Sequence, residues 1–209
     1  MADLFTSGGP VMWPLLACSI LVLFVVLERL LFWVSIDLRR NRPLLDEVME
    51  FCRQGRWEDI RDRVQGSRDY IIRILVTGIV HRDYSMSKAM ESAATEQLQR
   101  MARFMGVLDT MITVAPLLGI LGTVIGIIDS FEMLGAAGID DPRAVTGGIA
   151  QALITTAAGL SIAIFSVFPY NYFRSRLKRA AHAIEQYATS LEIVYEKLDR
   201  EDDPGRTRP

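Results

Sequence analysis

The sequence predicts an all-α integral membrane protein with three transmembrane helices, N-out and C-in, whose long helices extend into a cytoplasmic helical domain. Three observations carry that prediction. Residues 4–27, 110–128 and 144–173 contain no charged side chain, and each approximates the ~20 residues needed to cross hydrocarbon. A chain of 209 residues has no soluble interior wide enough to hide three such stretches. Lys and Arg cluster at one end of each stretch, and apolar residues between them recur at helical spacing. The chain is 50% hydrophobic, close to an ordinary globular average, so distribution decides and composition does not.

Taken in order, residues 1–10 are a short extracytoplasmic N-terminus and 11–34 the first transmembrane helix. No basic n-region or small-residue cleavage site precedes it, so this stretch is expected to stay as an anchor. Trp13, Trp33 and the Tyr170/Tyr172 pair fall near helix ends, as interfacial anchors do. Glu28 and Arg29 interrupt the inner end, where snorkelling to the headgroups is the expected arrangement and a buried switch pair the alternative. Residues 35–104 form a cytoplasmic helical segment. Leu45, Val48, Met49 and Cys52 fall at i, i+3, i+4 and i+7 and stop at Gly55; Trp57, Ile60 and Val64 continue to Gly66; Tyr70, Ile71, Ile74, Leu75 and Ile79 make another apolar face. From Ser85 a stripe of Met90, Ala94, Leu98, Met101 and Met105 runs without Pro or turn residues into the second transmembrane helix, 105–131. A single helix from about Ser85 to Phe131, roughly 70 Å long, is predicted. An extracytoplasmic loop follows at 132–145 and the third transmembrane helix at 146–173. Residues 174–209 are a cytoplasmic C-terminal helix and tail, with Ile184, Tyr187, Leu191 and Val194 on one face and fraying expected after Asp199.

Orientation follows from positive charge. Arg39, Arg40 and Arg42 follow the first helix, Arg100 and Arg103 precede the second, and Arg174, Arg176, Lys178 and Arg179 follow the third, while residues 1–6 and 129–142 hold no Lys or Arg. The 23 Lys+Arg against 25 Asp+Glu give a net charge of −2, with no general pull toward nucleic acid. Cys18 and Cys52 lie at different depths and read as packing residues.

Several chemistries are absent. There is no GxxxxGK[ST] motif, and Gly119, Gly122 and Gly126 miss the GxGxxG spacing. His81 and His182 have no Cys or carboxylate neighbours at ligand spacing, so no metal and no cofactor are expected. No nucleophile sits in a recognisable catalytic setting, and the chain does not read as an enzyme. What remains is a pattern of small and hydroxylated residues. Gly119, Thr123 and Gly126, with Pro116 close by, share a face of the second helix. Gly148, Ala152, Thr155, Thr156, Gly159, Ala163 and Ser166 repeat at three- and four-residue steps on the third. Small residues let helix backbones approach in lipid. A membrane hydroxyl either bonds back to its own helix or lines a wet path. Gln151, one turn before Thr155, could border one polar lumen with Thr155 and Thr156. No carboxylate lies at mid-membrane; Asp109 falls toward the inner end of the second helix, where it is a boundary charge or an inner-mouth charge.

The run Ala115-Pro116-Leu117-Leu118-Gly119-Ile120-Leu121-Gly122-Thr123-Val124-Ile125-Gly126 resembles the signature of the MotA/TolQ/ExbB proton-channel family. Residues 152–160 (ALITTAAGL), with Tyr170-Asn171-Tyr172, resemble its third-helix signature. The single N-out helix ahead of a cytoplasmic segment is similar to the ExbB/TolQ branch. The resemblance implies a homopentamer around two copies of an ExbD/TolR-like single-helix membrane protein, whose membrane aspartate supplies the missing acid. It also implies a cell inner membrane location and a TonB/TolA-like energy transducer downstream. Thr123 and Thr156 match the threonines that face the partner in the family's pore and are the ion-pathway residues; Gln151, Thr155, Pro116 and Gly119 are pore- or partner-facing. The chain departs from the family in two places. Gln151 stands where many members have Glu and cannot bind and release a proton. Phe165 stands where the family often has Pro, with Pro169 four residues later.

The resulting expectation is an ion-channel or stator subunit that converts proton or other cation flow into mechanical work. Alternatives are a non-conducting membrane scaffold, or a flagellar- or gliding-type stator. A solute transporter fits poorly, because three helices without inverted repeats give little room for alternating access.

Overall fold

The computed structural model describes residues 9–137 and 142–202, and the described residues form seven α-helices and no strand. These are α1 (Met12–Arg39), α2 (Arg42–Arg53), α3 (Trp57–Arg63), α4 (Tyr70–Val80), α5 (Arg82–Ala102), α6 (Met105–Ala137) and α7 (Pro142–Asp202). Three stretches are long and apolar enough to cross a membrane: Met12–Arg39, one running through α5 and α6, and one within α7. The chain is an all-α membrane protein. Residues 1–8, the middle of the predicted 132–145 loop at 138–141, and the tail from 203 lie outside the described residues. The ends of that loop are helical: α6 runs on to Ala137 and α7 begins at Pro142. Nothing in Glu132–Ala137 breaks a helix strongly, and proline suits a helix's first position.

The chain divides into two compact units. The first comprises residues 1–30 and 104–174. Here α1 turns Leu15, Val22, Val25 and Arg29 inward, each 8% exposed or less, at steps of seven, three and four. Arg29 does not snorkel. It is 1% exposed, bonded to Glu28 at 2.5 and 2.6 Å, and its guanidinium lies 5.7 Å from the Phe104 ring centroid. A charged headgroup-seeking side chain is retained inside because a carboxylate and an aromatic face are both in reach.

The predicted continuous helix from Ser85 to Phe131 is broken. Arg103 is extended (φ −52°, ψ 138°) and Phe104 has a left-handed φ of 63°, so α5 ends and α6 restarts within two residues. No Pro or Gly occupies the break. A bulky residue in this region costs about 1–3 kcal/mol and persists only where packing enforces it; here Phe104 carries Arg29 on its ring. Met101 before the break and Leu108 after it are both buried.

The second unit comprises residues 31–103 and 175 onward. The stripe Leu45, Val48, Met49 and Cys52 is buried on α2, which Asn41 caps by accepting from the Leu44 N–H at 3.1 Å. Gly55 (φ 69°) and Gly66 (φ 81°) sit where α2 and the segment after α3 must turn through left-handed backbone. On α4, Tyr70, Ile71, Ile74, Leu75 and Ile79 are buried as predicted, joined by Ile72 and by Gly78, whose missing side chain leaves room for Met90. Asp69, which sequence reasoning did not single out, fastens these pieces. It is 1% exposed and caps α4 through the Ile71 N–H (2.9 Å). It also accepts from the Asn41 N–H (2.9 Å) and lies 3.6 Å from Arg40. Trp57 packs edge-on against Tyr195 of α7 at 6.0 Å. Burial pushes the Cys52 thiol up to about 12, against weak help to the thiolate from its own backbone. Both cysteines are free thiols.

Candidate functional site

The site grows from one geometric fact: α6 and α7 pack antiparallel along a seam of residues too small to hold them apart. A Cβ placed on Gly159 would lie 3.1 Å from the Gly119 Cα and closer still to the Ala115 carbonyl oxygen. One on Gly119 would lie 3.0 Å from the Thr156 Cα and 3.0 Å from the Thr155 carbonyl oxygen. One on Gly126 would lie 3.0 Å from the Ala152 Cβ and 3.2 Å from the Gly148 carbonyl oxygen. The paired positions descend on α7 as they ascend on α6, which fixes the antiparallel sense. Glycine and alanine at three- and four-residue steps bring the two backbones into direct contact, where dispersion rather than water-driven burial holds helices together.

That approach sets three hydroxyls against two carbonyls. Thr123 Oγ1 of α6 lies 3.2 Å from both the Gly119 and Ala152 carbonyl oxygens and is in short contact with Thr156 Oγ1. Thr156 donates to the Gly119 carbonyl at 3.0 Å, and Thr155 donates to the Ala152 carbonyl at 2.7 Å. Elsewhere on these two helices, Thr110, Ser130, Ser161 and Ser166 each donate only to the carbonyl four residues earlier in their own helix. Thr123 and Thr156 therefore differ from these four in reaching across to another helix, and Thr155 also comes within 3.5 Å of the Gly119 carbonyl oxygen across the seam. Either can be the donor of their shared bond, so the pair can reverse its polarity while remaining neutral. A hydroxyl pair of this kind can orient water or coordinate a passing cation through a lone pair. It does not store a proton.

The predicted residues separate into those gathered here and those held elsewhere. Thr123, Thr156 and Gly119 meet at one crossing, with Thr123 and Thr156 half-buried at its edge and Gly119 buried within it. Thr155 is 1% exposed and lies against Gly122, so its hydroxyl faces the seam. Adjacent positions on a helix point about 100° apart, and only one of the two threonines can meet the edge. Gln151 packs its side chain onto the backbone at Gly9, where a Cβ would lie 3.1 Å from the Gln151 Cδ. Pro116 is half-buried inside α6 and removes the N–H that would bond the Ile112 carbonyl. Asp109 is exposed, and its carboxylate has no ion pair among the described residues. It lies about 21 Å from Thr123 along the helix axis, at 1.5 Å per residue, and takes no part in the cluster. Gly122 and the Ala152 carbonyl complete the site; Gly122 had its signal in the glycine spacing, whereas a backbone carbonyl leaves none. No group of three or more His, Cys, Asp or Glu side chains could hold a metal ion among the described residues.

The family model described as the MotA/TolQ/ExbB proton channel family matches residues 67–186, which include the whole seam. The chain is similar to the ExbB-like 3 protein of Synechocystis sp., 34% identical over 92% of this chain and 93% of that protein. It is also similar to an ExbB homologue of Methanothermobacter thermautotrophicus, 31% identical over 88% of this chain and 66% of that protein. The Tol-Pal system protein TolQ of Haemophilus influenzae is 38% identical over 47% of this chain and 42% of that protein.

Proposed function

The chain belongs to the MotA/TolQ/ExbB proton channel family, in its ExbB/TolQ branch, and from that premise we propose that it is the ion-channel subunit of an ion-motive-force-driven motor in a cell inner membrane. The family is one of channels and transport-associated proteins and not of enzymes. The observation that carries the proposal is the Thr123–Thr156 pair: two hydroxyls at the edge of a glycine seam, in stretches where residues 110–128 and 144–173 offer no carboxylate, lysine, arginine or histidine. Such a pair can hydrate and orient an ion but needs a carboxylate to bind it. A partner helix of the ExbD/TolR kind, carrying a membrane aspartate, supplies that group.

In the proposed assembly five copies of this chain, oriented N-out and C-in, surround two partner helices, with Thr123 and Thr156 of each copy facing them. Residues 11–34, 105–131 and 146–173 cross the membrane, and 35–104 and 174–209 lie in the cytoplasm. Asp109 stands toward the inner mouth. One ion crossing 100 mV releases about 2.3 kcal/mol, enough to bias one step of a ring against its contents. Gln151 carries no proton, so the relay runs through the partner's carboxylate and the threonines, and either H⁺ or another cation is compatible with oxygen ligands alone. A TonB/TolA-like transducer would take up the work.

A non-conducting scaffold is the second reading. It is favoured by the fact that every hydroxyl of the cluster already has a carbonyl acceptor within the chain. The deciding experiment is native mass spectrometry of the purified chain, alone and co-expressed with a single-helix membrane protein of the ExbD/TolR kind. A pentamer that retains two copies of the partner supports the motor. A monomer or dimer that retains none leaves the path without its acid and overturns it.

A further inference from the structure

A second site lies in the unit formed by residues 31–103 and 175 onward. A cavity of about 380 Å³ opens between the end of α1, the starts of α2 and α4, and α7, and four arginines line it: Arg40, Arg42, Arg176 and Arg179. Asp37 is the one carboxylate on its wall, and Arg176 holds both of its oxygens. Arg40 is anchored from behind by Tyr70, whose hydroxyl accepts from it at 2.6 Å, and by the buried Asp69. Arg179 donates one nitrogen to Ser175 at 2.7 Å, and Arg42 makes no ion pair among the described residues. Arg176 faces Asp37 and Arg40 faces Asp69, so Arg42 and Arg179 leave an excess of two positive charges around a space the size of a small polar headgroup.

Two further features point to what fills it. Trp33 lines the cavity with the Arg176 guanidinium 5.1 Å from its ring centroid. Its Nε1 is the one buried side-chain nitrogen or oxygen without a hydrogen-bond partner among the described residues. Helix α2 begins at this cavity, at Arg42, with a neutral Asn41 cap, so the positive end of its dipole adds to the arginine charge. Guanidinium forks match phosphate oxygens geometrically, and basic pockets beside membrane-spanning helices hold phosphate headgroups.

We propose that this cavity binds a phosphate group, carried by an anionic phospholipid headgroup or free in solution. The proposal is independent of the ion pathway and would survive its failure. The test is native mass spectrometry of the full chain in mild detergent, titrated separately with phosphatidylglycerol, phosphatidylcholine and inorganic phosphate. The variants are R42Q/R179Q, which removes two exposed charges, and D37N, which removes the carboxylate. Saturable retention of phosphatidylglycerol over phosphatidylcholine is expected, weakened about 30-fold in R42Q/R179Q, at about fivefold per arginine at a membrane surface, and not weakened in D37N. Saturable binding of inorganic phosphate with the same variant pattern and no lipid preference would make the ligand a soluble phosphate and uphold the site. Equal retention of both lipids with no phosphate binding, or R42Q/R179Q binding like the parent while its melting temperature is unchanged, would overturn it.

Discussion

Replacing Thr123 and Thr156 by valine separates conduction from assembly, because the structure sets a low ceiling on the stability cost. Valine keeps the shape of threonine, so the seam between Gly119 and Thr156 stays filled. The two carbonyls that lose a hydroxyl, Gly119 and Ala152, lie inside α6 and α7 and keep their helical N–H partners, and Thr155 still donates to Ala152 at 2.7 Å. No buried polar atom is orphaned. Hydrogen bonds between membrane helices average about 0.6 kcal/mol, so each single variant should lose about that much, and the double variant under about 1.5 kcal/mol because the two share one bond. The assay is paired: reversible denaturant unfolding of the detergent-solubilised chain, and ion flux of the assembled complex in liposomes under an imposed potential. Flux is expected to fall at least tenfold with pentamer and partner retained. Full flux in the double variant would refute the pathway role. A stability loss above about 3 kcal/mol would show instead that the pair is a structural clamp.

Gly119→Leu should abolish assembly and output together, since the first added carbon already meets backbone atoms at 3.0 Å and the rest of the side chain must part the helices; a folded, active variant would disprove the close seam. Phe104→Gly should be more stable than Phe104→Ala by about 1 kcal/mol, the reverse of the usual helix order, because the φ of 63° suits glycine; thermal unfolding of the two variants decides it. Asp69→Ala should cost about 3 kcal/mol by removing the cap of α4 and the tie to Asn41 and leaving Arg40 without its carboxylate, read by chemical denaturation and by loss of protease resistance in residues 41–80. Cys52, raised from 9.0 to about 12 by burial, holds its proton in the folded chain. Its contribution is complete below pH 9 and is lost between pH 9 and 12, at about 1.36 kcal/mol per unit. Cys52→Ala should flatten that alkaline decline, and the native thiol should resist alkylation at pH 8.

Much of the site is legible in the residues alone. Gly119, Gly126, Gly148 and Gly159 at helical steps announce a close helix pair, and the antiparallel seam is what that spacing produces when a short connection joins two apolar helices. Thr123 and Thr156 stand out as hydroxyls without charge around them. Thr155 is not separable from Thr156 by type, only by the rotation of α7 that presses it against Gly122. Gln151 is one turn from the cluster in sequence, yet its side chain settles on Gly9, a contact between chain segments far apart in sequence.

Local and periodic facts are written in the order of residues: three uncharged stretches, the buried faces of α2 and α4, the glycine turns at Gly55 and Gly66, and the absence of a membrane acid. These follow from burial and backbone preference, which act within a few residues. Packing of the folded chain was needed for the break at Phe104, the enclosure of Arg29 beneath it, the linking of α2 to α4 through Asp69, and the four-arginine cavity. Each depends on groups from distant segments meeting, so its energy appears only after the helices have packed. A strained φ at Phe104 or a buried guanidinium at Arg29 is unfavourable locally and is held by contacts that no window of the sequence contains.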